Sequence, residues 1–490
     1  MSRSIKRVLS GYKLIRSYLG IIFILVGCIL LLPLLTLFAY PKEVVYAKYF
    51  IVPALVSILI GLAMAILMLN RSKEKLERNH DAIIVTFSWI IAILVSTVPF
   101  VMAGECNFIQ ALFECTSGYG TVGLTVVDVT TLPHIFLMFR SIMLFFGGIG
   151  LVLVVTSVMN RYYGMKLYQA EGHSDRIMPN LIKSARIIIA IYLVYILLGA
   201  LAYVYFGMSG FDAINHAISA LATGGFSTHS NSIAYYNTPA IEYISIILML
   251  LGSINFLLHL AILKGDFKKF FKHCETKLSF WLIVIFTPIV AFLMLNTFTG
   301  DSIRIALFQI VSAITTTGFS TVSIASLSTP VVMILVLLMT IGGGVGSTAG
   351  GIKQYRICIL LKDFIWNIKN KTSSKHLIRP NKIDKFGESV NVEYGETLSI
   401  NNLTLLYLTL LIGGTFIITC YGYSLSDALM EFSSAISSGG FSVGIINGST
   451  PTGILITCIL GMFLGRLEIY IVFIAITKML EDAKCKIQNA

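Results

Sequence analysis

The sequence is poor in charge. Only 12% of its 490 residues are Asp, Glu, Lys or Arg, about half of the share found in soluble domains. In contrast, 56% are hydrophobic, and runs of roughly 20 apolar residues recur along the whole chain. Only helices and closed barrels satisfy their backbone hydrogen bonds in lipid, and runs of this length indicate helices. We therefore expect an all-α integral membrane protein.

The sequence also lacks paired cysteines and common catalytic motifs. Its eight cysteines are scattered singly without CxxC spacing, so we interpret them as small buried hydrophobic residues. No HExxH, GxSxG or paired carboxylates at catalytic spacing occur, and the histidines are few and dispersed. These absences argue against an enzyme, and we expect no catalytic residue, no cofactor and no metal-ligating side chains.

The net charge of +12 arises mostly in alternate hydrophilic segments. These hold 31 of the 36 Lys and Arg residues and lie before residue 17, at 71–80, 161–186, 264–277 and 353–385, and from residue 478 onward. The positive-inside rule assigns them to the cytoplasm, which predicts a multi-pass protein of the inner or plasma membrane with both termini inside. No aromatic platform interleaves with the basic residues, so we expect no nucleic-acid partner.

The apolar runs predict ten spanning segments. They are 16–39, 49–70, 82–104, 133–158, 184–207, 239–263, 278–298, 330–350, 400–421 and 451–479. The longest inside loop, about 360–396, is polar and basic and has too few apolar residues for a core of its own. We interpret it as a connector or docking surface and not as a domain.

A short segment lies between the members of each of the last four pairs of spans, too short to cross and too apolar for an ordinary loop. These segments are CNFIQALFECTSGYGTVGLT, GFDAINHAISALATGGFST, DSIRIALFQIVSAITTTGFST and SLSDALMEFSSAISSGGFSV. Their endings TVGL, TGGF, TTGF and SGGF share Gly123, Gly225, Gly318 and Gly440. The next helix carries a further glycine 21 to 27 residues later in every case. This internal repeat predicts four parallel units of helix, half-helix, glycine turn and helix.

The expected fold class is therefore four parallel M1–P-loop–M2 repeats around a pseudo-fourfold pore, preceded by two extra transmembrane helices. The third repeat contains a broken inner helix and the basic inside loop. The predicted boundaries are 1–80 for the N-terminal pair, and 81–175, 176–274, 275–395 and 396–490 for the repeats.

Four equivalent turns can meet on one axis and present backbone carbonyls to one another. Rings of carbonyls replace the hydration shell of a dehydrated cation. Glycine lets the backbone pass close to its copies, and the half-helices direct partly negative C-terminal ends toward the axis. The predicted cation selectivity filter consists of Thr121, Val122, Gly123, Leu124, Thr223, Gly224, Gly225, Phe226, Thr316, Thr317, Gly318, Phe319, Ser438, Gly439, Gly440 and Phe441.

An alternative is that these small-residue turns merely permit close helix packing. Four copies at equivalent places disfavour it. The fourfold symmetry is approximate, because Val122 stands where the third turn has Thr317 and Leu124 stands where the other turns have Phe.

A glycine-rich stretch, GGGVGSTAGG, falls at the end of the predicted span 330–350. Its G-x-G spacings do not indicate a dinucleotide site, because a membrane span and not a strand precedes them. Small residues hold a helix poorly, so we expect a broken helix whose loop obstructs the conduction path below the third turn. A kink filled by neighbouring helices is the alternative. This loop comprises Gly342, Gly343, Gly344, Val345, Gly346, Ser347, Thr348, Ala349, Gly350 and Gly351.

Arg466 lies in the last predicted span. A charge there is costly and usually faces a cavity or a partner. It follows Gly440 by 26 residues, so we expect it in the pore or near its inner mouth, where a positive charge raises the barrier to cations. The alternative is pairing with Glu468, although residues two apart do not share a helix face.

Four polar residues fall in the half-helices, one in each: Glu114, His216, Gln309 and Glu431. These could tune the charge of the filter or the outer mouth. We favour structural hydrogen bonding behind the filter, the usual role of buried polar groups of this kind.

Other polar residues have simpler interpretations. Asn255 and His259 lie four apart on one helix face and could line the pore or bond across helices. Two ligands alone make a metal site improbable. Asp212, Asp301 and Asp427 each begin a half-helix, so we expect N-cap or first-turn roles.

These motifs resemble the Trk/Ktr/HKT superfamily of potassium transporters, and most of all its TrkH-type bacterial subunits, which have two extra helices before the four repeats. The resemblance covers the whole chain and is most specific in the four turns, in GGGVGSTAGGIKQYR and in GRLEIY. It implies potassium uptake, with the ion held only by the filter backbone, a gate at 342–351 and a pore-lining arginine at Arg466. In the superfamily, serine at the first shared glycine goes with sodium preference, so four glycines imply potassium.

The resemblance also implies a homodimer in membrane lipid and a cytoplasmic nucleotide-binding regulatory ring of the TrkA type, docked on the basic inside loops. Two alternatives stay open. One is a sodium-permeable or sodium- or proton-coupled cation symporter of the same fold. The other is a secondary transporter for a small solute, since such proteins carry broken helices and midplane charges. Four filter turns and the scarcity of intramembrane acids argue against the latter.

Overall fold

The computed structural model describes residues 3–66, 79–151, 181–295, 301–372 and 380–488. Most residues of the predicted basic segments 71–80 and 161–186 therefore lie outside the described residues. So do the last residues of the predicted spans 49–70, 133–158 and 278–298.

The chain divides into two compact units. The first comprises Met1–Gly120, Thr125–Val194 and Asn447–Ala490, and the second comprises Thr121–Leu124 and Tyr195–Ile446. The predicted boundaries of the N-terminal pair and the four repeats follow the repeating sequence pattern and stay a prediction.

The first unit is helical. Its helices are α1 (Arg3–Leu31), α2 (Ala47–Ile66), α3 (His80–Ala103), α4 (Phe108–Tyr119), α5 (His134–Ile149), α6 (Leu181–Tyr205, as far as Val194), α17 (Thr452–Arg466) and α18 (Tyr470–Gln488), with 3-10 turns at Leu32–Phe38 and Pro41–Tyr46.

Helices α1 and α2 pack closely through small residues. A Cβ atom added to Gly27 would lie 2.6 Å from Cγ1 of Ile58, and one added to Gly61 would lie 2.5 Å from the oxygen of Gly20. The two backbones can approach this closely only because glycine has no side chain, an arrangement common between membrane helices.

The second unit starts from the remainder of α6 and contains most of the other elements. These are α7 (Gly210–Leu221), α8 (Pro239–Ser253), α9 (Phe256–Leu263), α10 (Phe267–Lys272), α11 (Cys274–Met294), α12 (Ser302–Ile314), α13 (Thr329–Ile341), α14 (Gln354–Thr372), β1 (Lys382–Lys385), β2 (Glu388–Asn391), α15 (Tyr394–Thr419) and α16 (Leu425–Ser437), with 3-10 turns at Ser232–Tyr235 and Ile324–Ser326.

Among the described residues, six helices are long and apolar enough to cross a membrane, and two bent pairs raise that number to eight. The prediction of 239–263 and 451–479 as single spans is wrong in shape, because α8 and α9 meet at 111° and α17 and α18 at 94°. Ile254 is extended at the first bend, and Asn255 then caps α9 by accepting from the N–H of Leu257. At the second bend Glu468 and Ile469 are left-handed, with φ of 53° and 55°.

The four predicted half-helices are present as α4, α7, α12 and α16. Ten of the 13 residues of α12 are buried, and this helix packs against α8, α11 and α13 in the core of the second unit. Asp301 is the N-cap of α12, while Asp212 and Asp427 lie in the first turns of α7 and α16, which confirms the roles expected for them.

The polar inside loop holds a small ordered element that the sequence analysis did not predict. Strands β1 and β2 form an antiparallel hairpin in which Ile383 pairs with Val390. The side chain of Ile383 is fully buried in a cluster with Cys274, Cys358 and Ile400. The hairpin is thus attached to the ends of α11, α14 and α15 and does not form a separate domain.

Candidate functional site

The four glycine turns share one backbone conformation. Two residues before each shared glycine, a residue with a side chain is left-handed: the φ angles are 51° at Thr121, 49° at Thr223, 53° at Thr316 and 58° at Ser438. The shared glycines are also left-handed, with φ of 91° at Gly123, 68° at Gly225, 83° at Gly318 and 73° at Gly440. A non-glycine residue rarely adopts positive φ, so its recurrence at four matched positions indicates a common turn structure.

The four turns lie against one another in a closed ring, in chain order. A Cβ atom added to Gly123 would lie 3.0 Å from Cα of Gly225, and one added to Gly225 would lie 3.4 Å from Cα of Gly318. On Gly318 it would collide with Gly440, and on Gly440 it would lie 2.5 Å from the oxygen of Val122. Glycine is required here for close backbone approach as well as for positive φ.

One carbonyl oxygen from each turn lies against a neighbouring turn of this ring. The residue before each shared glycine supplies it, and each such oxygen is among the atoms nearest to a Cβ placed on a neighbouring turn. The four are the oxygens of Val122, Gly224, Thr317 and Gly439. Four equivalent carbonyl oxygens at one ring form a set of neutral, partly negative ligands suited to a monovalent cation.

Each turn is braced by a side-chain hydrogen bond between residues 11 apart. Glu114 accepts from the hydroxyl of Thr125 at 3.0 Å, and Glu431 accepts from Ser442 at 2.6 Å. The corresponding pairs in the other turns are His216 with Ser227 at 2.9 Å and Gln309 with Ser320 at 3.2 Å. We call these four pairs the turn braces.

The turn braces confirm that the large polar residues of the half-helices have a structural role. Glu114 makes two further contacts beyond its brace. It accepts from the N–H of Val126 at 3.1 Å and from Nε of Arg140 at 2.7 Å. Both Glu114 and Arg140 are buried, so each charge has its partner within the first unit.

Glu431 holds the backbone beyond the fourth turn in a similar way. Its Oε1 accepts from the N–H groups of Val443 and Ile445, at 3.0 and 3.1 Å. Val443 directly follows Ser442 of the brace, just as Val126 directly follows Thr125 in the first turn. The two acidic residues therefore bind equivalent backbone groups in the first and fourth turns.

The candidate gating loop, 342–351, is non-helical and joins α13 to α14. It contacts three of the four turns. The N–H of Gly350 donates to Oγ1 of Thr316 at 2.8 Å, and the hydroxyls of Thr348 and Thr223 lie 3.0 Å apart. A Cβ atom added to Gly350 would also lie 2.9 Å from Cβ of Ser438. The loop therefore lies directly against the second, third and fourth turns.

Polar side chains of neighbouring helices hold the other side of this loop. Oε1 of Glu275 accepts from the N–H of Val345 at 2.8 Å, and the amide of Asn255 donates to the oxygen of Val345 at 2.5 Å. Nζ of Lys353 donates to the oxygen of Ala349 at 2.7 Å. Of the two roles considered for Asn255, the structure shows bonding between segments. These contacts satisfy backbone groups that a broken helix leaves without partners.

A chain of hydrogen bonds links the loop to the hairpin. The N–H of Phe386 donates to Nδ1 of His273 at 3.1 Å, and Nε2 of His273 lies 3.0 Å from Oε2 of Glu275. Since Nδ1 accepts, the ring proton lies on Nε2 and is donated to Glu275. The ammonium of Lys277 also binds Asp384 at 2.9 Å, and this hydrogen bond lowers the pKa of Asp384.

Arg466 ends α17 in the first unit. Its guanidinium donates to the carbonyl oxygens of Gly147 and Gly148 and lies 5.7 Å from the ring centre of Trp89. Carbonyl oxygens and an aromatic face stabilise a cation without neutralising its charge.

A model of the TrkH family, described as cation transport proteins, matches residues 54–298 and 281–487. The chain belongs to the TrkH family. This membership confirms the expectation of a membrane transporter and not an enzyme, and the helical fold class is confirmed with it.

Two curated relatives of this TrkH-family chain cover most of it. An uncharacterised cation transporter of Methanocaldococcus jannaschii is 30% identical over 92% of this chain and 93% of its own length. The Trk system potassium uptake protein TrkG of Escherichia coli is 31% identical over 83% of this chain and 86% of its own length. The crystal structure of the potassium transporter TrkH from Vibrio parahaemolyticus matches with a TM-score of 0.82 and 26% identity, over 94% of this chain and 98% of that one.

The hydroxyl members of the turn braces were missed by the sequence analysis. They are Thr125, Ser227, Ser320 and Ser442, and each stands two residues after a shared glycine. Aligning the four turns two residues further would have revealed them. No comparable sequence pattern marks Glu275 and His273, because both lie outside the repeated segments. The fold alone brings Glu275 to the loop and His273 to Glu275.

Proposed function

We propose that this TrkH-family chain takes up potassium across the cell membrane and that the ring of four turns is its selectivity filter. The observation that carries the proposal is the closed ring itself, with four equivalent carbonyl oxygens at Val122, Gly224, Thr317 and Gly439. The relatives from Escherichia coli and Vibrio parahaemolyticus are a potassium uptake protein and a potassium transporter, which supports the choice of ion.

Selectivity in this proposal comes from the backbone. Potassium sheds its hydration water on entering the ring, and carbonyl oxygens replace that water. The half-helices end at the turns, so the partly negative ends of their dipoles add a favourable potential for a cation. The turn braces hold the carbonyls in place while the ion passes.

The loop 342–351 is the proposed gate. Its hydrogen bonds with Thr316 and Thr223 hold it against the turns, and those with Glu275 and Asn255 hold its other side. Opening requires several of these bonds to break together, which makes two discrete loop positions more favourable than a continuous range.

Arg466 is proposed as a cationic barrier to permeation. Its carbonyl partners orient the guanidinium and leave its positive charge in place, so it repels a passing cation.

The partners proposed for the protein are a second copy and a TrkA-type nucleotide-binding ring on the cytoplasmic side. The basic inside segments are the proposed docking surface, in a plasma membrane with both termini inside.

The test is rubidium uptake into liposomes that contain the purified chain, with potassium or sodium as competitor. We expect excess potassium to block uptake and excess sodium to leave it nearly unchanged. Gly440→Ser should reduce this discrimination, because Gly440 touches the neighbouring turns, whereas Gly422→Ser is the matched control, since Gly422 has positive φ but open space around it. Equal competition by both ions, or equal effects of both variants, would overturn the filter. Uptake that requires a sodium or proton gradient would favour a coupled symporter.

A further inference from the structure

A cavity of about 480 Å³ lies beside the candidate gating loop, within the second unit. Its walls come from the ends of α8 and α9, from α10 and from the first turns of α11. One wall is formed by Gly344 of the loop itself, together with Glu275 and Asn255, which hold Val345. The volume lies within the range of ligand sites, about 300–1,000 Å³.

Most polar groups of this cavity are already engaged. Glu275 binds Val345 and His273, Asn255 binds Val345, and the side chain of Gln354 binds the oxygen of Gly342. The remaining lining is largely apolar. A space of this kind favours a hydrocarbon group over water or a polar solute.

The mouth of the cavity has the composition of a membrane–water boundary. Phe271, Phe280 and Trp281 line it and are 67%, 59% and 58% exposed. Aromatic residues of this kind are enriched where a protein meets the headgroup layer.

The surrounding segment is also basic. Residues 264–277 carry five lysines against two acidic residues, one of which is the buried Glu275. Lys268 and Lys272 are exposed on the short helix α10, and Lys277 lines the cavity. Clustered lysines beside a membrane surface attract anionic lipid headgroups.

We propose that this cavity binds one acyl chain of an anionic phospholipid, whose phosphate pairs with the exposed Lys268 and Lys272. The end of this acyl chain lies against Gly344 and stabilises the loop in its observed position, in which the loop contacts the turns. Because a ligand favours the state that it binds, anionic lipid stabilises the obstructing loop and lowers flux. This consequence rests on the proposed function, whereas the binding itself does not.

Binding is tested by fluorescence quenching with lipids brominated in the acyl chain. The protein has three tryptophans, so the double variant Trp89→Phe with Trp366→Phe leaves Trp281 at the cavity mouth as the reporter. We expect brominated phosphatidylglycerol to quench Trp281 more than brominated phosphatidylcholine at equal mole fraction. Thr276→Phe, which fills the cavity, and Lys268→Gln with Lys272→Gln should each remove the difference. Equal quenching by both lipids in the unfilled protein indicates ordinary surrounding lipid and overturns the proposal.

The effect on the loop is tested by rubidium flux with and without phosphatidylglycerol. We expect anionic lipid to lower flux about fivefold or more, and Thr276→Phe to abolish this dependence. Ile289→Phe is the matched control, since Ile289 is an exposed residue of the same helix outside the cavity lining, and it should keep the dependence. Lipid-independent flux in the unmodified chain overturns the coupling. If flux is absent under all conditions while headgroup-specific quenching persists, the proposed function fails and the lipid site stands.

Discussion

The carboxylate of Glu275 accepts a hydrogen bond of 2.8 Å from the backbone N–H of Val345, and both residues are buried. This bond attaches the middle of the candidate gating loop to the start of α11. The same carboxylate lies 3.0 Å from Nε2 of His273. One side chain therefore connects the loop to His273, which in turn binds the hairpin at Phe386.

Glu275→Ala should release the loop and raise flux. A hydrogen bond to a charged group contributes about 1.5–3 kcal/mol, so its loss shifts the loop equilibrium by about 10- to 150-fold. Rubidium efflux from liposomes measures this change. The exposed Glu393→Ala should leave efflux as it is, and equal efflux from both variants would contradict a restraining role for Glu275.

Ser442→Ala should weaken the fourth turn without preventing folding. The change removes the hydroxyl that donates to Glu431 at 2.6 Å, and the loss of one such hydrogen bond costs about 0.5–1.5 kcal/mol. Glu431 keeps its bonds with the N–H groups of Val443 and Ile445. We expect a lower thermal unfolding temperature and weaker potassium competition in rubidium uptake. Ser449→Ala, on an exposed residue, is the control, and unchanged stability and selectivity in Ser442→Ala would show that the brace is dispensable.

Arg466→Gln should raise rubidium flux about 10-fold, because it removes a positive charge from the proposed pathway. Arg466→Lys keeps the charge and loses the forked contacts with Gly147 and Gly148. Comparing the flux of the two variants separates charge from geometry. A large increase in both would mean that the contacts, and not the charge, limit flux.

His273→Ala should loosen the hairpin. His273 accepts from the N–H of Phe386 at 3.1 Å and stacks on its ring with centroids 4.9 Å apart. We expect faster hydrogen exchange at Phe386 and higher basal flux, since Glu275 loses a donor at the same time. His134→Ala, on a histidine of the first unit, should change neither. Faster hydrogen exchange at Phe386 without a change in flux would show that the hairpin does not influence the gate.

Most of the spans, the half-helices and the turns could be predicted because composition and repetition encode them. Long apolar runs identify helices, and four copies of one pattern align Gly123, Gly225, Gly318 and Gly440 without any structure. Whether these residues select an ion stays a prediction, because the ring shows proximity and not discrimination.

Other features could not be predicted, since their causes are not local. The bend at Glu468 and Ile469 places two residues with side chains in the left-handed region, a conformation that their residue types do not predict. The hairpin 382–391 is charged and short, and its burial of Ile383 depends on helices distant in sequence. Tertiary contacts decide both features.

The turn braces also bear on how the chain folds. Each brace joins residues only 11 positions apart, so every turn can assemble on its own half-helix while the rest of the chain is still being synthesised. The ring cannot close until Gly440 reaches Val122. Early turns therefore lack their neighbours during synthesis, and the local braces provide a means of holding their shape in that interval.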